Sequence, residues 1–466
     1  MTRTTLLLLL VMEAMMHANA IVTSPEQASL CDSSICTCPP TSWGNVTCQC
    51  VGSQQEVIVR SRGHLHVPSH LTLLRVVDCE HVLVMEDALH DLRFLQKVEL
   101  RRIRRLEVAP RAFSRPLESD GEVPSTVPEV KIEESYIPEL PSYAFRGYLR
   151  AIRLRDVRVD TIAAFAFASL SSLEHIELRD CTLNTVNAQA FKKFVVRKLS
   201  FVGTSIVKAL PSRAVTDLEV ISEVRFERVS AVRLHSSSLL VRGPHTVHIT
   251  ACNISHMEGE ALRISTQGAV VIQDNIFPSV DPGAFLGFSV ERYTLREKGR
   301  QEFVFHNNTL HSFKAGALSF NETSFEARIE KVTVSRLCMC DILELWLSQL
   351  KVTVDEVLCL DSTTKQLIEA NEAGCGSLHG WSGTLVLVVT ICGGLLVLGI
   401  ALIALCCWRR RQRTRGKRWV TVPNKNKVKN PGNAHTMGIV LPDGRTYRET
   451  ELHVIVERAE PIDDKD

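Results

Sequence analysis

The sequence lacks the short motifs that most enzyme families carry. It contains no HExxH, no GxSxG, no GxxxxGK phosphate loop and no dinucleotide-binding glycine pattern. Its 16 histidines are scattered without the spacing of metal ligands. Catalytic groups can also converge from distant positions, but nothing in the sequence indicates such a group. We therefore expect no catalytic activity, no cofactor and no metal site.

The chain is also short of net charge and of aromatic residues. Its 54 Lys and Arg against 52 Asp and Glu leave a net charge of +2, so the totals do not suggest nucleic-acid binding. Aromatic residues make up only 6% of the 466 positions. A core built from stacked Leu, Ile and Val side chains fits this composition.

What the sequence does have is a repeat. An Ala followed by Phe, Leu or Val recurs at intervals of 24, 32, 22, 24, 24, 47, 23 and 33 residues, with its first residue at Ala88, Ala112, Ala144, Ala166, Ala190, Ala214, Ala261, Ala284 and Ala317. The interval of 47 holds two units, with Ser238 in place of the missing anchor. The intervals of 32 and 33 each hold one unit with an insertion. A period of 20 to 29 residues with this pattern is typical of a leucine-rich-repeat solenoid.

Apolar pairs recur at fixed distances before each anchor and predict the strands. The residues 14 and 12 positions earlier are Leu74/Val76, Val98/Leu100, Val130/Ile132, Ile152/Leu154, Ile176/Leu178, Val224/Phe226, Val247/Ile249, Val270/Ile272 and Phe303/Phe305, and Leu199/Phe201 fits after a slip of one residue. Alternation with period 2 indicates a strand with one buried face. Equivalent strands at one period are expected to stack into a continuous parallel sheet.

A further position, nine before the anchor, is predicted to lie inside a turn. Many leucine-rich repeats have Asn or Cys there to satisfy backbone groups, and this chain has Cys79, Cys181, Cys252, Asn275 and Asn308. We therefore interpret the single cysteines as buried turn residues and not as nucleophiles or metal ligands. Other units have Val, Ile or Ser, so we expect local irregularity, above all around residues 200–245.

The first 68 residues predict a secretory signal and a cysteine cap. Residues 1–20 combine Arg3, an apolar run and a small-residue cleavage site ending at Ala20. Residues 21–68 contain Cys31, Cys36, Cys38, Cys48 and Cys50. The cluster resembles the N-terminal cap of extracellular leucine-rich-repeat proteins, which implies the bonds Cys31–Cys38 and Cys36–Cys48. Cys50 is then surplus: a free thiol, a rearranged cap and a bridge to a second chain all remain open.

A second cysteine cluster follows the repeats, which we place at residues 69–325 as about ten units. Residues 326–376 contain Cys338, Cys340, Cys359 and Cys375, with an apolar segment carrying Trp346 after Cys340. They resemble the C-terminal cap of the same family, which implies the bonds Cys338–Cys359 and Cys340–Cys375. Zinc is the alternative for both clusters, but no matching His pairs or Cys-x2-Cys knuckles accompany them. Cysteine clusters that flank a domain indicate an oxidising compartment.

The remaining 90 residues predict a membrane anchor and a tail. After a linker at 377–382, residues 383–408 are long and apolar enough to span a bilayer, with a basic run from Arg409 to Arg418 directly behind. The basic run is expected to stay in the cytoplasm, where it has the composition to hold anionic lipid. Cys406 and Cys407 are candidate palmitoylation sites; the alternative is that they serve only as apolar residues at the end of the span. The tail, residues 409–466, is expected to be largely disordered, with hairpin character at 438–447.

Two insertions and four glycosylation sequons lie in the predicted extracellular part. The insertions fall near residues 115–128 and 287–302, and each is either a solvated loop or part of a binding face. The sequons place candidate N-linked glycans at Asn45, Asn253, Asn307 and Asn321.

The residues between the buried strand positions are candidates for ligand contact. In the early units these residues carry charges of both signs, whereas in the last three units they are nearly uncharged. Because the cores of protein interfaces are depleted in charge, the last three units are the better candidate for a buried contact. An arginine cluster is the candidate for an acidic or glycan partner. The candidate ligand-binding residues are Arg153, Arg155, Glu177, Arg179, His248, Val271, Gln273, Val304 and His306.

The sequence as a whole resembles extracellular leucine-rich-repeat proteins with a single membrane span and two cysteine caps. The resemblance implies an α/β repeat solenoid with a parallel β-sheet on its concave face. It also implies a type I protein of the plasma membrane, with the repeats outside the cell and the C-terminus in the cytoplasm. We expect an adhesion molecule, receptor or co-receptor that binds an extracellular protein and no nucleic acid. The alternatives are an accessory subunit that binds another membrane protein through the membrane helix and, least of all, an ectoenzyme.

Overall fold

The computed structural model describes most of the chain between residues 28 and 370. The described residues are 28–39, 44–51, 56–63, 65–116, 125–314, 316–338, 354–370, 399–400, 402–405, 439–440 and 446–447. The predicted signal peptide, Cys340, Cys375, Cys406 and Cys407 lie outside them, as does most of the predicted membrane span. The chain divides into two units, Met1–Leu385 and Val386–Asp466.

In its described residues, the first unit is built almost entirely from strands of 2 to 13 residues. Strands β1 to β8 are Cys36–Thr37, Asn45–Gln49, Glu56–Val59, Leu73–Val77, His81–Val84, Lys97–Arg101, Arg105–Val108 and Phe113–Arg115. Strands β9 to β16 are Glu129–Leu140, Phe145–Tyr148, Ala151–Ile162, Phe167–Ser171, Leu173–Arg179, Thr182–Val186, Phe191–Val202 and Ser205–Ile206. Strands β17 to β24 are Val215–Glu227, Ser230–Ala231, Leu239–Arg242, Thr246–Thr250, Asn253–Ile254, His256–Met257, Leu262–Thr266 and Val270–Gln273. Strands β25 to β30 are Ile276–Val280, Phe288–Val290, Gln301–Phe313, Phe325–Leu337, Val357–Leu360 and Leu367–Glu369. A 3-10 helix spans Leu30–Asp32, and helix α1 spans Arg292–Lys298.

These strands wind into a parallel β-solenoid with three faces. Face A consists of the twelve paired segments 45–49, 73–77, 97–101, 129–133, 151–155, 175–179, 198–202, 223–227, 246–250, 270–273, 303–306 and 327–330. Face B consists of 56–59, 81–84, 105–108, 135–140, 157–162, 182–186, 205–207, 230–232, 253–257, 276–280, 308–313 and 332–337. Face C consists of 113–115, 145–148, 167–171, 191–196, 215–220, 239–242, 262–266 and 288–290.

The core lies between the three faces, where the predicted apolar pairs meet. Ile152 pairs with Ile176, which pairs with Leu199, and the slip predicted at Leu199 is present in the register. The predicted strand residues are buried apart from Phe226, which is half-buried. Ser238 occupies the missing anchor, fully buried between the turns of Ala214 and Ala261. The prediction of a parallel repeat sheet is confirmed.

Each turn of the solenoid bends at residues in the left-handed region of backbone space. Between faces A and B these residues have φ between +46° and +61° and are Asp78, Arg102, Glu134, Asp156, Asp180, Gly203, Arg228, Ala251, Asp274, Asn307 and Lys331. Between faces B and C they are Asp87, Arg111, Tyr143, Phe165, Gln189, Arg213, Ser237, Glu260, Gly283 and Gly316. The corner N–H groups donate to carbonyl groups of the following turn, as Asp180 donates to Val202 and Gln189 to Arg213. The corners therefore keep the backbone hydrogen bonds of successive turns continuous.

The α/β class expected from the sequence is corrected to β. Among the described residues of the solenoid, α1 is the one α-helix, and faces B and C are strands. The physical reason is visible in a single unit, where Leu183, Val186 and Phe191 are buried by short extended segments. Residues 180–197, which separate two successive face A segments, are divided between two strands and three corners, which leaves no room for a helix of ordinary length.

Disulfide bonds fix the N-terminal end of the solenoid. Cys31 is bonded to Cys38 and Cys36 to Cys48, the pairs that the family resemblance implies. Strand β1 pairs antiparallel with β2 and so covers the free edge of face A. Cys50 is bonded to Cys79, which resolves the three alternatives for Cys50 and corrects the interpretation of Cys79 as a single turn residue. Cys79 is buried at the predicted turn, but it also ties the cap to the first full turn.

The C-terminal end is closed in a similar way. Cys338 is bonded to Cys359, and β30 pairs antiparallel with β29. The parallel sheet continues through Phe325–Leu337, so a further solenoid strand lies within residues predicted as cap. The predicted bond Cys340–Cys375 lies outside the described residues.

The two insertions are shorter than the sequence suggested. Arg115 is not an insertion residue: it is buried on β8, and its guanidinium donates to the carbonyl oxygens of Leu92 and Arg93. Gly147 passes so close that a Cβ there would lie 2.0 Å from the Arg115 carbonyl oxygen. In the second insertion, residues 288–290 and 301–302 belong to β26 and β27. Only residues 291–300, which include α1, extend beyond the repeat.

The second unit has few described residues. Residues 399–400 and 402–405 are helical. Strands β31 (Ile439–Val440) and β32 (Thr446–Tyr447) pair antiparallel, as the predicted hairpin requires. A search of the described residues finds no helix of sufficient length and apolar character to cross a membrane.

Candidate recognition surface

Face A brings the nine predicted ligand-binding residues together in two groups. In the first group, Arg153 pairs in register with Glu177 and Arg155 with Arg179. In the second group, His248 pairs with Val271 and Val271 with Val304. Gln273 pairs with His306 on the same strands. Strand alternation directs these side chains away from the core, which is why the columns read from the sequence are columns in the structure.

The first group is not a free positive patch. The Arg153 Nη1 donates to Glu129 Oε1 at 2.8 Å, and Arg179 Nη2 lies 2.6 Å from Glu177 Oε1. Arg155 Nη1 lies 3.7 Å from Glu133 Oε1. Each guanidinium group therefore has a carboxylate nearby on the same face, and this weakens the interpretation as a site for an acidic or glycan partner. Glu129 is shared with Arg150 and Glu133 with Lys131, so positive charge remains in excess.

The same neutralisation extends towards the N-terminal end of face A. The Arg75 Nε donates to Glu99 Oε2 at 2.7 Å, and Lys131 lies 3.0 Å from Glu133. Partial burial acts to raise the pKa of Glu99, but hydrogen bonds from Lys97 and Arg75 outweigh it and keep the pKa below its usual value. A groove of about 380 Å³ is lined by Arg75, Glu99, Arg101, Lys131 and Glu133. Partly exposed ion pairs of this kind add little stability, and their main effect is to leave the surface without a strong field.

The second group forms the lightly charged end of face A, which we define as residues 246–250, 270–273 and 303–306. His248, Val271 and Val304 are half-buried, and Thr246, Thr250 and Gln273 flank them. Charged residues bound this patch on both sides. On one side Arg225 donates to Glu227, and on the other Arg328 Nε donates across 2.8 Å to Glu330. The lightly charged end therefore has no Asp, Glu, Lys or Arg, whereas the strands on either side of it carry salt bridges.

His306 links the lightly charged end to the charged residues of the neighbouring strand. Its Nδ1 lies 3.2 Å from Glu330 Oε2, on the neighbouring strand. The sequence-based columns did not include Arg328 and Glu330, because both were assigned to the cap that follows the repeats. The same alternation continued by one more unit would have found them.

Face C carries a second groove, of about 630 Å³, that the sequence did not predict. It is lined by Leu240, Arg242, Arg263, Leu286 and neighbouring polar residues. Arg242 lies 3.4 Å from Glu219 and Arg263 lies 3.6 Å from Glu260. All four charged side chains are about half exposed or more, so the groove is open to solvent.

Two cysteines in the described part of the chain have free thiols. Cys181 and Cys252 are buried, and burial raises the pKa of Cys181 to about 12 and that of Cys252 to about 11. Each Sγ contacts backbone carbonyl groups at the corner between faces A and B, Cys181 at 3.3 Å from the Arg179 oxygen and Cys252 at 3.4 Å from the Thr250 oxygen. Their positions fit the predicted turn role.

We expect both thiols to resist alkylation in the native protein. The thiolate is the reactive form, and a pKa near 11 or 12 leaves almost none of it at neutral pH. Full-length protein is treated with iodoacetamide at pH 7.5, with and without guanidinium, and the peptides that contain Cys181 and Cys252 are quantified by mass spectrometry. Modification is expected only in denaturant; rapid native modification would show that these turns open.

The four sequon asparagines lie in different surroundings. Asn45, Asn307 and Asn321 are half-buried. The Thr72 hydroxyl lies 3.1 Å from Asn45 Oδ1, Asn307 Nδ2 donates to Asp274 Oδ1 at 2.7 Å, and Asn321 Oδ1 accepts from Thr323 at 2.7 Å. Asn253 is exposed on β21. In the described residues, no group of three His, Cys, Asp or Glu side chains is close enough to hold a metal ion.

Comparison with known proteins gives only distant likenesses. No protein-family model matches the chain, and no curated sequence matches it. One similar solved structure is a chain of an octameric complex of Latrophilin 3 (Lec, Olf), Unc5D (Ig, Ig2, TSP1) and FLRT2 (LRR), with 16% identity, 60% of this chain and 89% of that chain covered, and a TM-score of 0.27. Another is a chain of the Toll–Spätzle complex from Drosophila, with 11% identity, 63% and 44% covered, and a TM-score of 0.24. Both TM-scores are low, so the solenoid is assigned from the strand pairing of this chain.

Proposed function

We propose that the chain is a cell-surface recognition protein that binds an extracellular protein through face A. The observation that carries the proposal is the change of character along this face. The strands from Arg75 to Glu227 carry internal ion pairs, whereas the lightly charged end presents the half-buried side chains of His248, Val271 and Val304. A partner seated there would desolvate few charges.

Interface physics supports this placement. The centres of protein interfaces are depleted in charged residues, and their rims are polar. The lightly charged end covers three strands, roughly 10–15 Å across at the usual strand spacing. That is too small for a complete interface, so the salt-bridged strands on either side would form the rim. The aliphatic side chains of Val271 and Val304 would then lie at the centre.

An extracellular location is supported by the disulfide bonds. Four of them lie in the described residues, including three within the first 79 positions. Disulfides of this density persist in oxidising compartments. We propose a signal peptide at residues 1–20, a single span at 383–408 and a cytoplasmic tail, since the basic run from Arg409 to Arg418 follows the apolar stretch. The recognition role includes no catalytic step and no cofactor.

Aspartate substitutions at Val271 and Val304 test the proposal. Cells that display the full-length chain are screened against a library of extracellular proteins, and affinity for the captured partner is measured. A carboxylate buried without a partner is costly, so each of Val271→Asp and Val304→Asp is expected to weaken binding about 30-fold or more.

The matched control is Val195→Asp, because Val195 is 44% exposed on face C. It is expected to leave the affinity unchanged. Equal affinity of the two face A variants and the unsubstituted protein would contradict the proposed contact. Loss of surface display is monitored with an antibody to an added N-terminal tag, so that a folding defect is not mistaken for a binding defect.

A further inference from the structure

Face B contains an exposed strip that has no charge. It runs over four successive turns, at residues 205–207, 230–232, 253–255 and 276–278. Its outward-facing residues are Ser, Asn, Pro and aliphatic side chains, in contrast to the Arg158–Asp160 and His81–Glu107 ion pairs on earlier turns of the same face. Three aliphatic side chains are open to solvent: Val207 is 44%, Val232 54% and Ile276 41% exposed.

Asn253 lies at the centre of this strip. It pairs in register with Ser230 on one side and with Ile276 on the other. Val232 lies diagonally across from it, two residues beyond Ser230 on the neighbouring turn. Of the four sequon asparagines, Asn253 is the one that is exposed, and in the described structure its side chain makes no hydrogen bond. The hydroxyl-bearing residue of the sequon, Ser255, is exposed as well.

We propose that an N-linked glycan on Asn253 covers the uncharged strip and closes face B to protein partners. The chemistry is transfer of an oligosaccharide from a lipid-linked diphosphate donor of the secretory pathway. The carboxamide nitrogen of Asn253 forms a bond to the anomeric carbon of the first sugar. The bond from that carbon to the diphosphate breaks, the lipid diphosphate leaves with the electron pair, and the nitrogen releases one proton.

The placement explains why exposed aliphatic residues are tolerated on a flat parallel sheet. Contiguous apolar surface on a protein outside a binding site favours association. A bulky, solubilising oligosaccharide rooted between Ser230 and Ile276 reaches Val232 and Ile276 at once. Asn307, the sequon asparagine next to the lightly charged end of face A, is half-buried and donates to Asp274 at 2.7 Å, whereas the exposed Asn253 side chain lies within the strip that its glycan would cover. This inference does not depend on a contact at Val271 or Val304.

The rate at which a maleimide labels a cysteine at position 232 tests whether a glycan covers the strip. Full-length protein that carries Val232→Cys is produced in a secreting eukaryotic cell in three forms. The first has the intact sequon, the second also carries Asn253→Gln, and the third also carries Ser255→Ala. Ser255→Ala removes the sequon and retains the asparagine, so it separates the glycan from the side chain. We expect both sequon variants to speed labelling by a bulky polyethylene-glycol maleimide about tenfold, because the glycan shields the site.

Two controls fix the interpretation. Val195→Cys on face C is expected to label at the same rate with and without the sequon. Mass spectrometry of the peptide that contains Asn253, before and after peptide-N-glycosidase treatment, reports occupancy directly. An unmodified Asn253, or a labelling rate at position 232 that the sequon variants leave unchanged, would overturn the proposal.

Discussion

Replacing Phe167 with alanine is expected to lower the free energy of unfolding by about 3–5 kcal/mol. Phe113, Phe145, Phe167 and Phe191 occupy the same position of face C in four successive turns and are almost fully buried. Their rings are stacked, with centroids 4.9, 4.8 and 4.4 Å apart along the series. Removing the third ring deletes two aromatic contacts and leaves a cavity that strand pairing on both sides prevents from collapsing.

The measurement is urea unfolding of full-length protein followed by tryptophan fluorescence and circular dichroism. The control is Phe94→Ala, because Phe94 is 54% exposed and its loss is expected to cost less than about 0.5 kcal/mol. Because each turn contacts only its neighbours, Phe167→Ala is also expected to expose residues 145–200 to proteolysis before the rest. Equal effects of Phe94→Ala and Phe167→Ala would show that the ring stack is not part of the core.

Replacing Asn275 with alanine is expected to cost about 3–5 kcal/mol, since it leaves several buried polar groups without partners. Asn275 Oδ1 accepts from the Cys252 backbone N–H at 2.8 Å. Its Nδ2 donates to the Ile249 carbonyl oxygen and to Asn308 Oδ1, each at 2.9 Å. Asn308 Nδ2 in turn donates to the Ile272 carbonyl oxygen at 2.9 Å. The Asn275 side chain therefore satisfies two backbone groups of the preceding turn and is itself bonded to Asn308 of the following turn.

The control for this substitution is Asn187→Ala, because Asn187 is exposed in a turn and its side chain makes no hydrogen bond in the described structure. It is expected to change stability by less than about 0.5 kcal/mol. Asn275→Cys should be milder than Asn275→Ala, because cysteine already occupies the equivalent position at Cys181 and Cys252. Thermal unfolding of the three variants ranks them; equal midpoints for Asn275→Ala and Asn187→Ala would contradict the turn role.

The strand columns could be predicted from the sequence because one constraint determines them. Ile176, Leu178 and their equivalents must be apolar every time the chain returns to face A, so the period is visible without a structure. The columns between them follow from strand alternation. Even the irregular unit at Leu199 could be placed, since a slip of one residue would otherwise have exposed its apolar pair.

The corners and the lateral faces could not be predicted in the same way. Left-handed residues at the first corner include Asp156, Asp180 and Gly203, which favour that conformation, but also Arg102 and Lys331, which do not. Here the hydrogen bonds between turns impose the conformation. The Asp members lie ten positions before their anchors and Gly203 eleven before Ala214, and this recurrence was a weak sequence signal of the corner. The strands of faces B and C are too short for their alternation to separate them from a turn or a helix.

The ion pairs of the candidate site could not all be predicted from the columns, because some of the partners are close only in the folded structure. The columns showed Arg153, Arg155 and Arg179 as a cluster, and Glu133 and Glu177 were visible beside them. Glu129 was not, because it lies in a third column at the start of its strand, where it accepts from Arg153 at 2.8 Å. The bond between Cys50 and Cys79 was hidden for a similar reason: the family cap has no equivalent of Cys50.

Site-specific photo-crosslinking tests recognition through face A most directly. A photo-reactive amino acid is placed at position 271, 304, 195 or 232 of the full-length chain on living cells, and adducts are identified by mass spectrometry. Positions 271 and 304 are expected to give an adduct with the same extracellular protein, whereas positions 195 on face C and 232 on face B are expected to give none. Adducts from position 195 or 232 with none from 271 and 304 would contradict the account.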